Sequence, residues 1–168
     1  EAVRLWAGAH LTNFNVLASR GPEAYGGFGI ASGLDFVIEN VTLGFRAAPG
    51  VTVSGITRLL VLEMDDHVSL YMAPINIDPA KPAMPVSHPA YYSTYLAKQI
   101  GPYATLGLAE DTWALNEGVT DEGTFLQQTY DIDRERQDMF FSALSRLRKG
   151  AVVCVFDATD RIQHMFWR

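Results

Sequence analysis

The chain has 168 residues, 48% of them hydrophobic and 19% charged, with a formal net charge of −6 and a single cysteine. That is enough chain for one domain or two small subdomains around a buried core. It excludes an intramolecular disulfide, offers no apolar run long enough to span a bilayer, and argues against nucleic-acid or anionic-membrane partners, which call for clustered Lys and Arg.

The first residue is Glu1, not Met, and the chain stops abruptly at Arg168. The expectation is an internal piece of a longer protein. No signal peptide is evident, and the lone cysteine is compatible with a reducing compartment, so the expected location is cytoplasmic.

Residues 1 to 33 are weakly patterned. Val3 to Trp6 and Phe14 to Ala18 are candidate strands, and Gly26-Gly27-Phe28-Gly29 reads as a turn. The glycines lack the Lys-Ser/Thr of a phosphate loop and the strand–turn–helix setting of a dinucleotide site.

From Asp35 to Ile75 the pattern is β. Phe36 to Phe45 partly alternates, Ala48-Pro49-Gly50 is a turn, and Val51 to Glu63 is rich in β-branched residues, with Gly55 a candidate bulge. Asp65-Asp66 marks a second turn and Val68 to Ile75 a third strand, which together make an antiparallel meander. His67 beside Asp65-Asp66 has ligand chemistry, but a hairpin turn is the preferred reading.

Residues 76 to 90 carry Pro79, Pro82, Pro85 and Pro89. Proline fixes φ and biases its predecessor away from helix, so the stretch reads as an extended connector and a subdomain boundary. Ser87 is the expected N-cap of a helix from Ala90 to Ile100, with Pro89 in its first turn and Gly101-Pro102 as its stop. Next come Leu106, Leu108, Trp113 and Leu115 as buried candidates. Glu110, Asp111 and Asn116 could line a pocket, although no spacing argument supports it.

Thr120 or Asp121 caps the longest predicted helix, Glu122 to Lys149. Phe125, Thr129, Ile132, Arg136, Met139, Phe140, Ala143, Leu144 and Leu147 fall on one stripe at three- and four-residue steps. Acids fill its first turn, and Arg146, Arg148 and Lys149 its last, as the macrodipole favours. Arg134 and Arg136 share the helix with interleaved acids, so this is a solvated face and not a polyanion patch.

After Gly150, Ala151-Val-Val-Cys-Val-Phe156 predicts a buried strand, with Cys154 a small core residue. A helix, a glycine and a buried strand make half of a parallel βαβ unit. Beyond the strand stand Asp157, Asp160 and His164. In a helix the last two lie one turn apart on one face, a carboxylate and an imidazole suited to zinc, and also to manganese or iron. Asp157 is a third ligand, an orienting partner or, preferably, a helix cap. The bland alternative for the pair is a capped helix start with His164 packed under Trp167.

The string Phe156-Asp-Ala-Thr-Asp160-Arg-Ile-Gln-His164 resembles the strand-to-metal motif of the type I phosphodiesterase/nucleotide pyrophosphatase family, in the alkaline phosphatase superfamily. DATDRIQHMFWR, SLYMAPINIDPAKPAMPVSHP and IGPYATLGLAEDTWALNEG look like its branch of predicted phosphohydrolases and phosphomutases, so the resemblance covers roughly residues 45 to 168.

The resemblance implies an α/β fold, an alkaline-phosphatase-like core fragment with an inserted antiparallel β subdomain. Residues 1–78 would be the β-rich insert, 79–120 the connector and helix, and 121–168 the core segment. It implies a metal-dependent phosphohydrolase or phosphodiesterase, a hydrolase of small phosphate esters, with two divalent metal ions, zinc first and manganese second. Asp160 and His164 would be ligands of one ion. The family's strand-Asp and the Thr or Ser nucleophile after it would lie before residue 1. Its S-D-H-G string, which holds an Asp-His pair of ligands, is absent here, so the remaining ligands would lie on the rest of the parent chain. No catalytic residue is therefore assigned within this sequence, and the fragment is expected to be inactive alone. The alternatives are a β-rich binding module and a family member that has lost catalysis.

Overall fold

The computed structural model describes residues 37–64 and 68–167. The expectations for residues 1 to 33, and for the turn at Asp65-Asp66 with His67, lie outside the described residues. The chain divides into two compact units, 1–75 and 76–168. The expected boundary at 78 falls three residues beyond the observed one, and the expected second and third segments share one unit.

The described residues of the first unit form an antiparallel meander in the order β1 (Val37–Ala48), β2 (Val51–Met64) and β3 (Val68–Met72). Pro49-Gly50 closes the first hairpin, with Ala48 paired to Val51 and Gly50 at φ 78°. A proline with its fixed φ followed by a residue at positive φ is the combination a type II turn requires.

Alternation along β1 places Val41, Leu43 and Phe45 on one face. Their register partners on β2 are Thr57, Gly55 and Val53. Leu59, paired with Met72 of β3, completes a cluster in which Leu43 and Leu59 are fully buried. Each such leucine contributes about 1.5–3 kcal/mol relative to exposure. Gly55 is not a bulge: it sits in register opposite Leu43, and the irregularities fall at Ile38/Val41, Arg46/Ala48 and Val61/Glu63. Buried Thr57 satisfies its hydroxyl by donating to the Ala73 carbonyl at 2.6 Å.

The second unit opens on a two-residue strand, β4 (Asn76–Ile77), and continues through the proline-rich connector. Asp78 caps its own turn, accepting the Ala80 N–H at 2.8 Å. Helix α1 (Tyr92–Ile100) begins two residues later than expected, so Pro89 precedes it. Ser87 still serves its start, since its hydroxyl oxygen accepts the Ser93 N–H at 2.9 Å. Gly101, at φ 92°, ends it.

Between α1 and α2 (Thr112–Asn116), side chains replace a backbone ladder. Asn76 Oδ1 accepts the N–H groups of Thr105 and Leu106 at 2.7 and 3.0 Å, and Glu135 Oε2 accepts that of Ala104 at 2.8 Å. Tyr103 is buried and donates to the Ser93 carbonyl. Burial pushes its phenol up from the ordinary value, and neighbouring Tyr92 adds to the effect. Of the expected buried residues here, Leu108 and Trp113 are exposed, Trp113 at 73%. The small residues Ala109 and Ala114 are the ones packed inside.

Helix α3 runs Glu122–Leu144. Asp121 caps it, accepting the Thr124 N–H at 2.7 Å, and these hydrogen bonds lower its carboxyl below the usual range. The apolar stripe is buried at Phe125, Thr129 and Ile132, but its later members Leu144 and Leu147 are exposed. The helix ends five residues before the expected Lys149. Three-residue bonds from Arg146 N–H to Ala143 and from Leu147 N–H to Leu144 tighten its end, and Ser145 Oγ donates to the Ser142 carbonyl. The basic residues therefore lie beyond the last turn. Arg146 reaches back to the Ser142 carbonyl at 2.6 Å, to Gln99 of α1, and over the Tyr95 ring.

The largest correction concerns Ala151–Phe156. These residues belong to no strand, and Val153 and Val155 are 90% and 75% exposed. Cys154 is half-buried and not a core residue. Strand status needs a neighbour to supply a ladder, and among the described residues none pairs with this run. The half βαβ unit is not formed, and the described residues combine helices with an antiparallel sheet, an α+β arrangement. No helix among them is long and apolar enough to cross a membrane.

Candidate metal centre

Asp160 and His164 lie on α4 (Ala158–Phe166), with Asp160 in its first turn and His164 in its last. That order suits the helix dipole. The helix is two-faced. Ala158, Arg161, Ile162, Met165 and Phe166 are buried or half-buried at three- and four-residue steps, and Thr159, Asp160, Gln163, His164 and Trp167 are exposed. Phe166 packs against Phe125 of α3, ring centroids 6.1 Å apart. Phe156, just before the helix, stands edge-on to Phe140 at 5.8 Å. These aromatic contacts set which way α4 is turned.

The two candidate ligands share the solvent face. His164 Nε2 is 3.4 Å from Asp160 Oδ1, with the side chains 74% and 57% exposed. The spacing argument therefore holds: one helical turn brings a carboxylate oxygen and an imidazole nitrogen together. The alternative of His164 packed beneath Trp167 does not, since Trp167 is exposed.

Asp157 occupies the N-cap position but makes no capping bond. Its carboxylate instead accepts a hydrogen bond from Arg136 of α3. The preferred reading of Asp157 as a cap is thus corrected: a charged partner across the unit outcompetes the exposed backbone N–H groups of the first turn.

The residue that sequence reasoning weighed only as a pocket candidate proves central to the interior. Glu110 lies just before α2 with its side chain fully buried. Arg136 Nη1 approaches one of its oxygens at 3.6 Å, and Arg161 Nε the other at 3.9 Å. Arg161 Nη1 also lies 3.8 Å from Asp160 Oδ2. A usable signal was present in the sequence: Arg136 falls on the apolar stripe of α3, and a guanidinium on an inward face demands a carboxylate. Asp111 and Asn116, the other pocket candidates, do not join this cluster. Asp111 caps α2 by accepting the Ala114 N–H, and Asn116 is exposed.

Among the described residues no group of three or more His, Cys, Asp and Glu is placed to hold a metal ion. The donor set of Asp160 and His164 fits a divalent ion in kind, as hard oxygen and borderline nitrogen, and it is two ligands of the four that a zinc site normally uses. No protein-family model, curated protein or solved structure matches the chain.

Proposed function

We propose that the chain is a segment of a metal-dependent phosphohydrolase or phosphodiesterase with an alkaline-phosphatase-like α/β core, in which the antiparallel meander is an insert. Asp160 and His164 hold one ion of a two-metal centre, and the remaining ligands and the nucleophile come from elsewhere in the parent polypeptide. The observation that carries the reading is the pair itself. A carboxylate and an imidazole stand 3.4 Å apart on the open face of a helix whose other face is packed. The resemblance of the surrounding strings to the type I phosphodiesterase family supplies the reaction class.

Zinc suits this donor set, with manganese as second choice. Bound divalent ions supply Lewis-acid stabilisation of phosphoryl oxygens and a nucleophile ionised near neutral pH. The chain's own contribution is to hold the two ligands in one orientation, which the Phe125–Phe166 and Phe140–Phe156 contacts secure. The substrate is a small phosphate ester.

The test is zinc content and hydrolysis of bis(p-nitrophenyl) phosphate by the full-length protein. Asp160→Asn and His164→Ala are each expected to lower bound zinc and to reduce hydrolysis by more than the ~10–100-fold typical of residues one step removed from a metal. Unchanged metal content and rate in both variants would sink the proposal.

A further inference from the structure

Glu110 is a buried carboxylate whose two oxygens accept no hydrogen bond within the protein, and Arg161 Nε facing it is buried and without an acceptor as well. A buried charge is costly unless an opposite charge compensates it. Two guanidiniums are near enough, but Arg136 is already engaged by Asp157, so Arg161 is the natural counter-charge of Glu110.

From Arg161 the row of charges runs on to the surface. Its Nη1 lies 3.8 Å from Asp160 Oδ2, and the other Asp160 oxygen lies 3.4 Å from His164. A guanidinium so close to a metal-binding carboxylate repels a divalent cation unless its charge is cancelled. Here the carboxylates of Glu110 and Asp157 balance the guanidiniums of Arg161 and Arg136, which leaves the charge of Asp160 available to an incoming ion.

We infer that Glu110 is a positioning residue for the Asp160–His164 site: it holds Arg161 inside the protein and cancels its charge, so that the pair accepts a divalent cation. The inference rests on the reading of Asp160 and His164 as metal ligands. At surface-like screening, an uncancelled unit charge one side-chain length from a divalent ion weakens binding by about tenfold.

The experiment is a Co²⁺ titration of the full-length protein, followed by the visible d–d absorption of the bound ion, with folding checked by circular dichroism. Wild type is expected to bind Co²⁺, and Asp160→Asn to lose the signal. If the two titrate alike, the metal reading fails and this inference falls with it. Where that reading stands, Glu110→Gln is expected to weaken Co²⁺ binding about tenfold. The double variant Glu110→Gln/Arg161→Gln is expected to recover affinity to within about threefold of wild type, a recovery that a purely structural role for Glu110 does not give. Wild-type affinity in Glu110→Gln, or no recovery in the double variant, overturns the inference and leaves the metal reading intact. Should Glu110→Gln fail to fold, Arg161→Gln alone decides: affinity equal to or tighter than wild type supports the inference, and weaker binding overturns it.

Discussion

Val51–Met64 and Ala151–Phe156 are alike in sequence, both apolar and rich in β-branched residues, yet they end in opposite circumstances. The first is β2, flanked by β1 and β3, with Ile56, Thr57, Leu59 and Leu60 buried. The second follows Gly150 with no ladder partner among the described residues, and its Val153 and Val155 face solvent. Composition marks both as segments that would gain from cover. Only β2 has complementary strands paired along its two edges.

The comparison can be broken most directly at its strongest point. Leu59→Ala removes a fully buried side chain from the Val41–Leu43–Leu59 cluster, and a loss of about 3 kcal/mol in urea unfolding is expected. Thr57→Val tests whether polar pairing inside the meander matters as well. It removes the donor to the Ala73 carbonyl, and about 1–2 kcal/mol should be lost.

In the other unit, Asp121→Ala should cost about 1 kcal/mol by removing the cap of α3. Because the folded carboxyl titrates lower than its unfolded counterpart, its contribution is present above the unfolded value and is lost as pH falls through the folded one. The stability gap between wild type and this variant should therefore narrow below about pH 4. Smallest of all, Val153→Ala should change stability by no more than about 0.5 kcal/mol, since the side chain touches little. A loss above about 1 kcal/mol at Val153 would mean that the run is covered in solution, and the contrast with β2 would disappear.

The meander was legible because its signals are local: alternation at Val41, Leu43 and Phe45, and a Pro49-Gly50 turn whose geometry those two residues dictate. The cap of α3 was legible for the same reason. What was not legible depends on partners distant in sequence. The run at 151–156 looked like a core strand because its apolar content was clear, while the identity of any neighbour was not. The extent of α3 was overestimated because three- and four-residue steps continue to Leu147, though Leu144 and Leu147 are exposed. At the candidate site, the pairing of Asp160 with His164 followed from helical spacing alone. Glu110 and Arg161 could not be joined from sequence, because 51 positions separate them. Asp157 was misread for a related reason, since its partner Arg136 lies on another helix.

The irregular stretch at Ala104–Leu106 carries a consequence for solvent exchange. Its three amide hydrogens are held by the side chains of Glu135, 31 positions away, and Asn76, 29 and 30 positions away, with no ladder of neighbouring backbone. Amides in a loop ordinarily exchange with heavy water at the rate of local fraying. These three can be released only when α3 or the opening of the second unit lets go. Their exchange should therefore be slow, tracking the opening of that whole unit and not the motion of the loop they belong to.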